Sequence, residues 1–174
     1  MQAISRFADG LCLMLGWIVG IFLAAATAAV FLQVVIRFVL PLFNVIVAAP
    51  WTEEAARYLM VWVVFLGVAV LCRSYRLISV EMLAIVVPKP AGTAIKLIST
   101  AISIGFFALV AQIGFGWTMM SGIELSPVMR LPMNWVYFAV PIGSLLAIFN
   151  LLVFAGECLV GSREAVAAHA EIAD

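Results

Sequence analysis

The sequence predicts an all-α integral membrane protein of four transmembrane helices, with a short cytoplasmic amphipathic helix at the membrane interface between the second and third. Three observations predict it. Of 174 residues, 67% are apolar and only 10% are charged, whereas a soluble domain is nearer half apolar and a quarter charged. The charges are clustered, leaving uncharged runs over 10–36, 97–123 and 131–156, each longer than the ~20 residues that cross a hydrocarbon core as a helix. A fourth run, 58–72, reaches spanning length once the turns from Trp51, with Glu53, Glu54 and Arg57, are placed in the headgroup region. Residues 1–174 thus read as one membrane domain, with no part polar enough to fold alone in water.

The first span covers about 11–38. Its apolar run continues unbroken to Ile36, past the small residues Ala24-Ala25-Ala26, which favours a span over a cleaved signal peptide. Gly16, Gly20, Ala24 and Ala28 recur every fourth residue and line one face with little bulk, the pattern that lets a second helix approach closely. The same spacing also arises from the ordinary Gly and Ala content of membrane helices, and it does not say which helix would dock. An apolar connection over 39–50, bounded by Pro41 and Pro50, leads to the second span at about 51–72.

Residues 77–87 are too few to cross. Leu77, Val80, Leu83, Ala84 and Val87 share one side, Arg76 and Lys89 bracket the segment, and Pro88 and Pro90 end it. This is the predicted interfacial helix. The third span covers about 94–120. The fourth covers about 131–154, with Pro132 in its first turn and a kink expected at Pro141. Trp51, Trp117 and Trp135 fall near one boundary, as an aromatic belt does. A polar, Ala-rich tail occupies 157–174.

Orientation follows from Lys and Arg. Arg73, Arg76, Lys89 and Lys96 crowd the second connection, so the positive-inside rule puts it in the cytoplasm together with both termini, Arg6 and Arg163. Arg37, Arg57 and Arg130 remain outside. Cys12, Cys72 and Cys158 all then lie at cytoplasmic ends, where thiols stay reduced.

Several function classes drop out. A formal net charge of zero gives no nucleic-acid surface. The single histidine, His169, lies in the tail, so no haem ligands stand inside the spans, and one His with three scattered Cys builds no zinc or iron site. No phosphate loop or nucleophile triad is present. The expectation is a non-enzyme without cofactors. No charged or interrupted helix centre marks a substrate pathway, so the chain suits a supporting subunit better than a carrier.

The densest polar constellation is Trp51-Thr52-Glu53-Glu54-Ala55-Ala56-Arg57-Tyr58. Arg57 stands four residues from Glu53 and three from Glu54, so it can pair with either, and acids ahead of the cation in a first turn suit the helix dipole. Arg37 would share their depth if the first two spans are antiparallel neighbours, with Gln33 one turn deeper. Two readings stay open: an ion-pair cluster anchoring helix ends, or charges that pair with a partner subunit. Arg37, Glu53, Glu54, Arg57, Gly16 and Gly20 are the interface candidates. Gln33, Gln112, Thr27, Ser99, Ser103 and Asn150 are polar side chains within spans, expected to bond between helices.

Three stretches carry a family resemblance. Gln33-Val34-Val35-Ile36-Arg37-Phe38 ends the first span. Trp51 to Tyr58 is followed by Val61-Trp62-Val63-Val64-Phe65-Leu66-Gly67. Ser126-Pro127 leads to Leu131-Pro132-Met133 and Tyr137-Phe138-Ala139-Val140-Pro141-Ile142-Gly143. Together, over about 10–155, they resemble the small membrane subunit (Q component) of tripartite ATP-independent periplasmic, or TRAP, transporters. One departure is Leu77, where the family commonly has His. The resemblance implies a bacterial inner-membrane protein, part of a symport system taking up an organic acid, often a carboxylate. It would act as a scaffold subunit bracing a large elevator-type membrane subunit and helping receive a periplasmic substrate-binding protein. Substrate, driving ion and stoichiometry are set elsewhere. The competing assignment is a membrane-anchor or assembly subunit of another complex.

Overall fold

The computed structural model describes residues 2–44, 48–74 and 89–160. It contains four helices long and apolar enough to cross a membrane, spanning Ala3–Phe43, Pro50–Arg73, Ile95–Ile123 and Asn134–Cys158. The predicted interfacial helix over 77–87 and most of the tail fall outside the described residues.

Helix α1 (Gln2–Val34) has 33 residues, about 50 Å at 1.5 Å per residue, so it outruns a hydrocarbon core of about 30 Å. It ends in two irregular turns. Val35–Val39 is wound as a π turn, with the Leu40 N–H reaching back to the Val35 carbonyl. Leu40–Phe43 then tightens to a 3₁₀ turn, stopped by Asn44 in the left-handed region (φ 58°). Pro41 explains the change of winding: it has no N–H to give the Arg37 carbonyl, and its ring would press on that carbonyl in a regular helix.

Helix α2 (Pro50–Ser74) starts on a proline, where the missing N–H is no loss. The Thr52 hydroxyl bonds the Ala49 carbonyl at 2.7 Å. Helix α3 is Lys89–Met120. The fourth span comes in two pieces, the single turn α4 (Asn134–Tyr137) and α5 (Ala139–Val160). The interruption at Phe138 lies within the turn that the Pro141 ring crowds, while Phe138 itself keeps helical dihedrals (φ −58°, ψ −24°) and its N–H bonds the Asn134 carbonyl at 2.9 Å. Pro132 stands before α4, not in its first turn as expected. It belongs to a hairpin closed by an antiparallel bridge between Leu125 and Pro132.

In space the helices form a row. α1 packs on α2, α2 on α5, and α5 on α3, so the last span sits inside and the first and third lie at the edges. Burial follows: 44% of the most apolar stretch of the fourth span is buried, against 6% for the first. The core seam is Ala69 and Cys72 of α2 with Ala147 and Leu151 of α5, and Ile104 and Phe107 of α3 pack against it.

Small residues allow these approaches, but not at the predicted positions. A Cβ on Gly143 would lie 2.6 Å from Phe65 Cβ and 2.7 Å from the Phe65 carbonyl oxygen, and one on Gly114 would lie 2.6 Å from Val140 Cγ1. By contrast Gly16, Gly20, Ala24 and Ala28 are exposed, and a Cβ on either glycine meets nothing within 4 Å. No described helix of this chain docks on that face.

Candidate functional site

Polar side chains gather at the two ends of α2, here termed the Glu54 end and the Arg73 end. At the Glu54 end, the adjacent carboxylates of the first helical turn point different ways. Glu53 faces α1: it pairs with Arg57 at 3.0 Å and accepts a bond from Gln33 Nε2 at 3.3 Å. The Arg57 and Glu53 side chains are 72% and 58% exposed, so this pair is wet and worth at most about 1 kcal/mol. Glu54 turns instead toward the hairpin. Its Oε1 accepts the Tyr58 hydroxyl at 2.6 Å and its Oε2 accepts the Met129 backbone N–H at 2.8 Å. Tyr58 also touches Met133 Sδ at 3.4 Å.

Of the two pairings open to Arg57, the structure therefore contains the one with Glu53. Arg37 does not join the cluster. It is exposed at the end of α1, its guanidinium 5.9 Å from the ring of Phe38. The Gln33–Glu53 bond is the contact that ties the two helix ends together. A cleft of about 420 Å³ lies between the start of α2 and the hairpin, edged by Glu53, Glu54, Tyr58 and Val128.

The hairpin itself is held by backbone bonds: Ser126 N–H to the Leu131 carbonyl at 2.9 Å, Met133 N–H to Glu124 at 2.9 Å, and Arg130 N–H to Ser126 at 3.2 Å. Arg130 is in the left-handed region (φ 53°), which is costly for a residue with a Cβ. Trp117 and Trp135 are both exposed at this end, as is Trp51.

The Arg73 end is built differently, and sequence reasoning missed it. Arg73 is 4% exposed and Glu157 7%. They form a two-pronged pair, Nη1 to Oε2 at 2.8 Å and Nη2 to Oε1 at 2.7 Å, the fork geometry that suits guanidinium and carboxylate. Arg73 Nε also reaches Asp9 Oδ1 at 2.9 Å, and Nη2 reaches the Ser5 hydroxyl at 3.0 Å. One guanidinium thereby joins α1, α2 and α5. A signal was present: Asp9 and Glu157 each border a long uncharged run and Arg73 ends another, so spans that alternate in direction bring the start of the first and the ends of the second and fourth to one depth.

Deeper in the row, Asn150 is fully buried. Its amide donates to the Ala69 carbonyl at 2.7 Å and to Cys12 Sγ at 3.3 Å, joining the same three helices. Thr27 bonds back to the Leu23 carbonyl of its own helix, not to a neighbour, and Gln112 is exposed. Among the described residues no three His, Cys, Asp or Glu side chains converge as metal ligands would. The three cysteines are free thiols.

An open row of four spans, pinned at both ends by polar contacts, defines a small multi-pass helical membrane subunit with much of its apolar surface left uncovered. The chain matches the family described as tripartite ATP-independent periplasmic transporters, DctQ component, over residues 26–160. It belongs to that family, and so is a component of a tripartite transporter of the inner membrane. No curated protein matches the chain.

Proposed function

We propose that this chain is the non-catalytic scaffold subunit of its transporter, bracing a large elevator-type membrane subunit during uptake of an organic acid, a carboxylate, from the periplasm. It also helps receive the soluble binding protein, and both termini face the cytoplasm. The observation that carries this reading is the open row. Only 6% of the apolar stretch of the first span is buried, and the face bearing Gly16 and Gly20 is bare. Close helix approach between small residues is what drives association in lipid, where apolar area alone gives no preference for a partner over lipid tails. A bare small-residue face on an edge helix thus suits a second membrane subunit. Arg37, Glu53 and Arg57, exposed where the first span ends and the second begins, suit polar contact with partners.

The test is co-purification and reconstitution. The chain should isolate one-to-one with a large membrane subunit and show no uptake alone. Substrate uptake by this chain reconstituted by itself would overturn the scaffold reading. A cytoplasm-only reporter fused at Asp174 should be active and one placed in the 122–126 loop silent; the reverse would overturn the orientation.

A further inference from the structure

The two carboxylates of the first turn of α2 are chemically alike, but only Glu54 holds backbone from another part of the chain. Both of its oxygens are engaged: one takes the Tyr58 hydroxyl at 2.6 Å, the other the Met129 N–H at 2.8 Å. The buried Ser126 hydroxyl sits beside the same carboxylate. Met129 lies at the turn of the hairpin, next to Arg130 with its positive φ, so the bond clamps the strained part of the loop to the helix. Non-helical backbone does not face hydrocarbon, so the hairpin stands beyond the core, where a water-soluble surface can reach it. It exposes apolar side chains, Leu125 at 60% and Leu131 at 43%, and it carries the exposed cation Arg130.

From this geometry we infer that Glu54 is a positioning residue that locks the 124–133 hairpin as a rigid docking element for the soluble binding protein, whose matching surface would offer an apolar patch with a carboxylate for Arg130. The inference rests on the reading of this end as the receiving surface. It assigns the task to Glu54 and the hairpin, not to the Glu53–Arg57 pair beside them. Rigidity is what the carboxylate adds. A loop fixed before encounter loses less conformational entropy on binding than one that must be ordered by its partner.

The experiment uses the assembled transporter. Alanine at position 54 has no acceptor, so Glu54→Ala loses both bonds, whereas glutamine could keep both, its oxygen accepting from Met129 and its amide donating to the Tyr58 oxygen. Amide hydrogen exchange in the 124–133 hairpin should rise about tenfold or more in Glu54→Ala, less in Tyr58→Phe, which keeps the Met129 bond, and not at all in Glu53→Gln. Uptake at saturating binding protein should persist in Tyr58→Phe and Glu54→Ala, while the binding-protein concentration for half-maximal uptake rises in the order of loosening. Unchanged hairpin exchange in both variants would overturn the inference. So would a loosened hairpin with an unaltered concentration dependence. If the parent complex takes up substrate with no soluble protein added, the receiving-surface reading fails instead, and the two failures are distinct. Should Glu54→Ala not assemble, Tyr58→Phe carries the same test.

Discussion

The two ends of α2 use the same chemistry with opposite results. At one end, Arg57 and Glu53 meet on a single helix face, four residues apart and largely exposed. At the other, Arg73 and Glu157 come from different helices and are nearly sealed from solvent. The first pair needs no tertiary structure, since any helix through 53–57 brings these side chains together. The second exists only because α2 and α5 pack side by side. The exposed pair competes with water and gains little, whereas Arg73 left alone would be an uncompensated buried charge. The lesson is that a charge cluster conspicuous in sequence need not be the one that matters for folding.

The sharpest way to break the contrast is to remove the buried cation. Arg73→Ala should destabilise the chain by about 3–5 kcal/mol, because Glu157 keeps its burial and loses its partner. Exchanging both members for apolar residues, Arg73→Met with Glu157→Met, should recover most of that. Unfolding in detergent measures both. Equal losses for the single and double variants would mean that the ion pair itself, not the orphaned charge, sets the cost.

Between the ends, packing is tested at glycine. Gly143→Val should cost about 1–3 kcal/mol by overpacking, since the Phe65 backbone leaves no room for a Cβ. Gly20→Val should leave the isolated chain unchanged, because nothing lies within 4 Å, but should reduce recovery with the large subunit. If Gly20→Val assembles normally, the bare stripe is not an interface.

Asn150 gives a smaller effect. Asn150→Leu removes donors to Ala69 and Cys12 and should cost about 0.6–1.7 kcal/mol, the range for hydrogen bonds between membrane helices. Smallest of all is Arg57→Ala, with a change in the chain's own stability under about 1 kcal/mol. A loss there as large as that of Arg73→Ala would erase the distinction between the ends.

How much was legible follows the same division. Three of the four spans were readable as long uncharged runs, and the second once the turns from Trp51 are added to 58–72; crossing hydrocarbon is a property of a segment by itself. The Glu53–Arg57 pair was readable because a helix of 3.6 residues per turn fixes its spacing. Glu54 was grouped with that pair on sequence distance, but its carboxylate turns to Met129, a contact across the fold that helical spacing cannot encode. The small-residue stripe of α1 was visible as a pattern. Yet the glycine that touches a neighbouring helix backbone, Gly143, stands in a like-spaced stripe of the last span, Ala139-Gly143-Ala147, and only the Phe65 carbonyl against it shows which of the two stripes is packed within the chain.

The sequence by itself determined that the chain carries four segments apolar enough to cross a bilayer and which charges can meet on one helix face, because hydropathy and helical spacing act locally. The tertiary structure alone decided the order of the row, with the last span between the second and third. It also decided the burial of Arg73 against Glu157 and the capture of the hairpin by Glu54. These depend on which helix lies beside which. Local preferences are the same for every such arrangement, so the choice rests on close contacts such as Gly143 on Phe65 and on partners for buried polar groups.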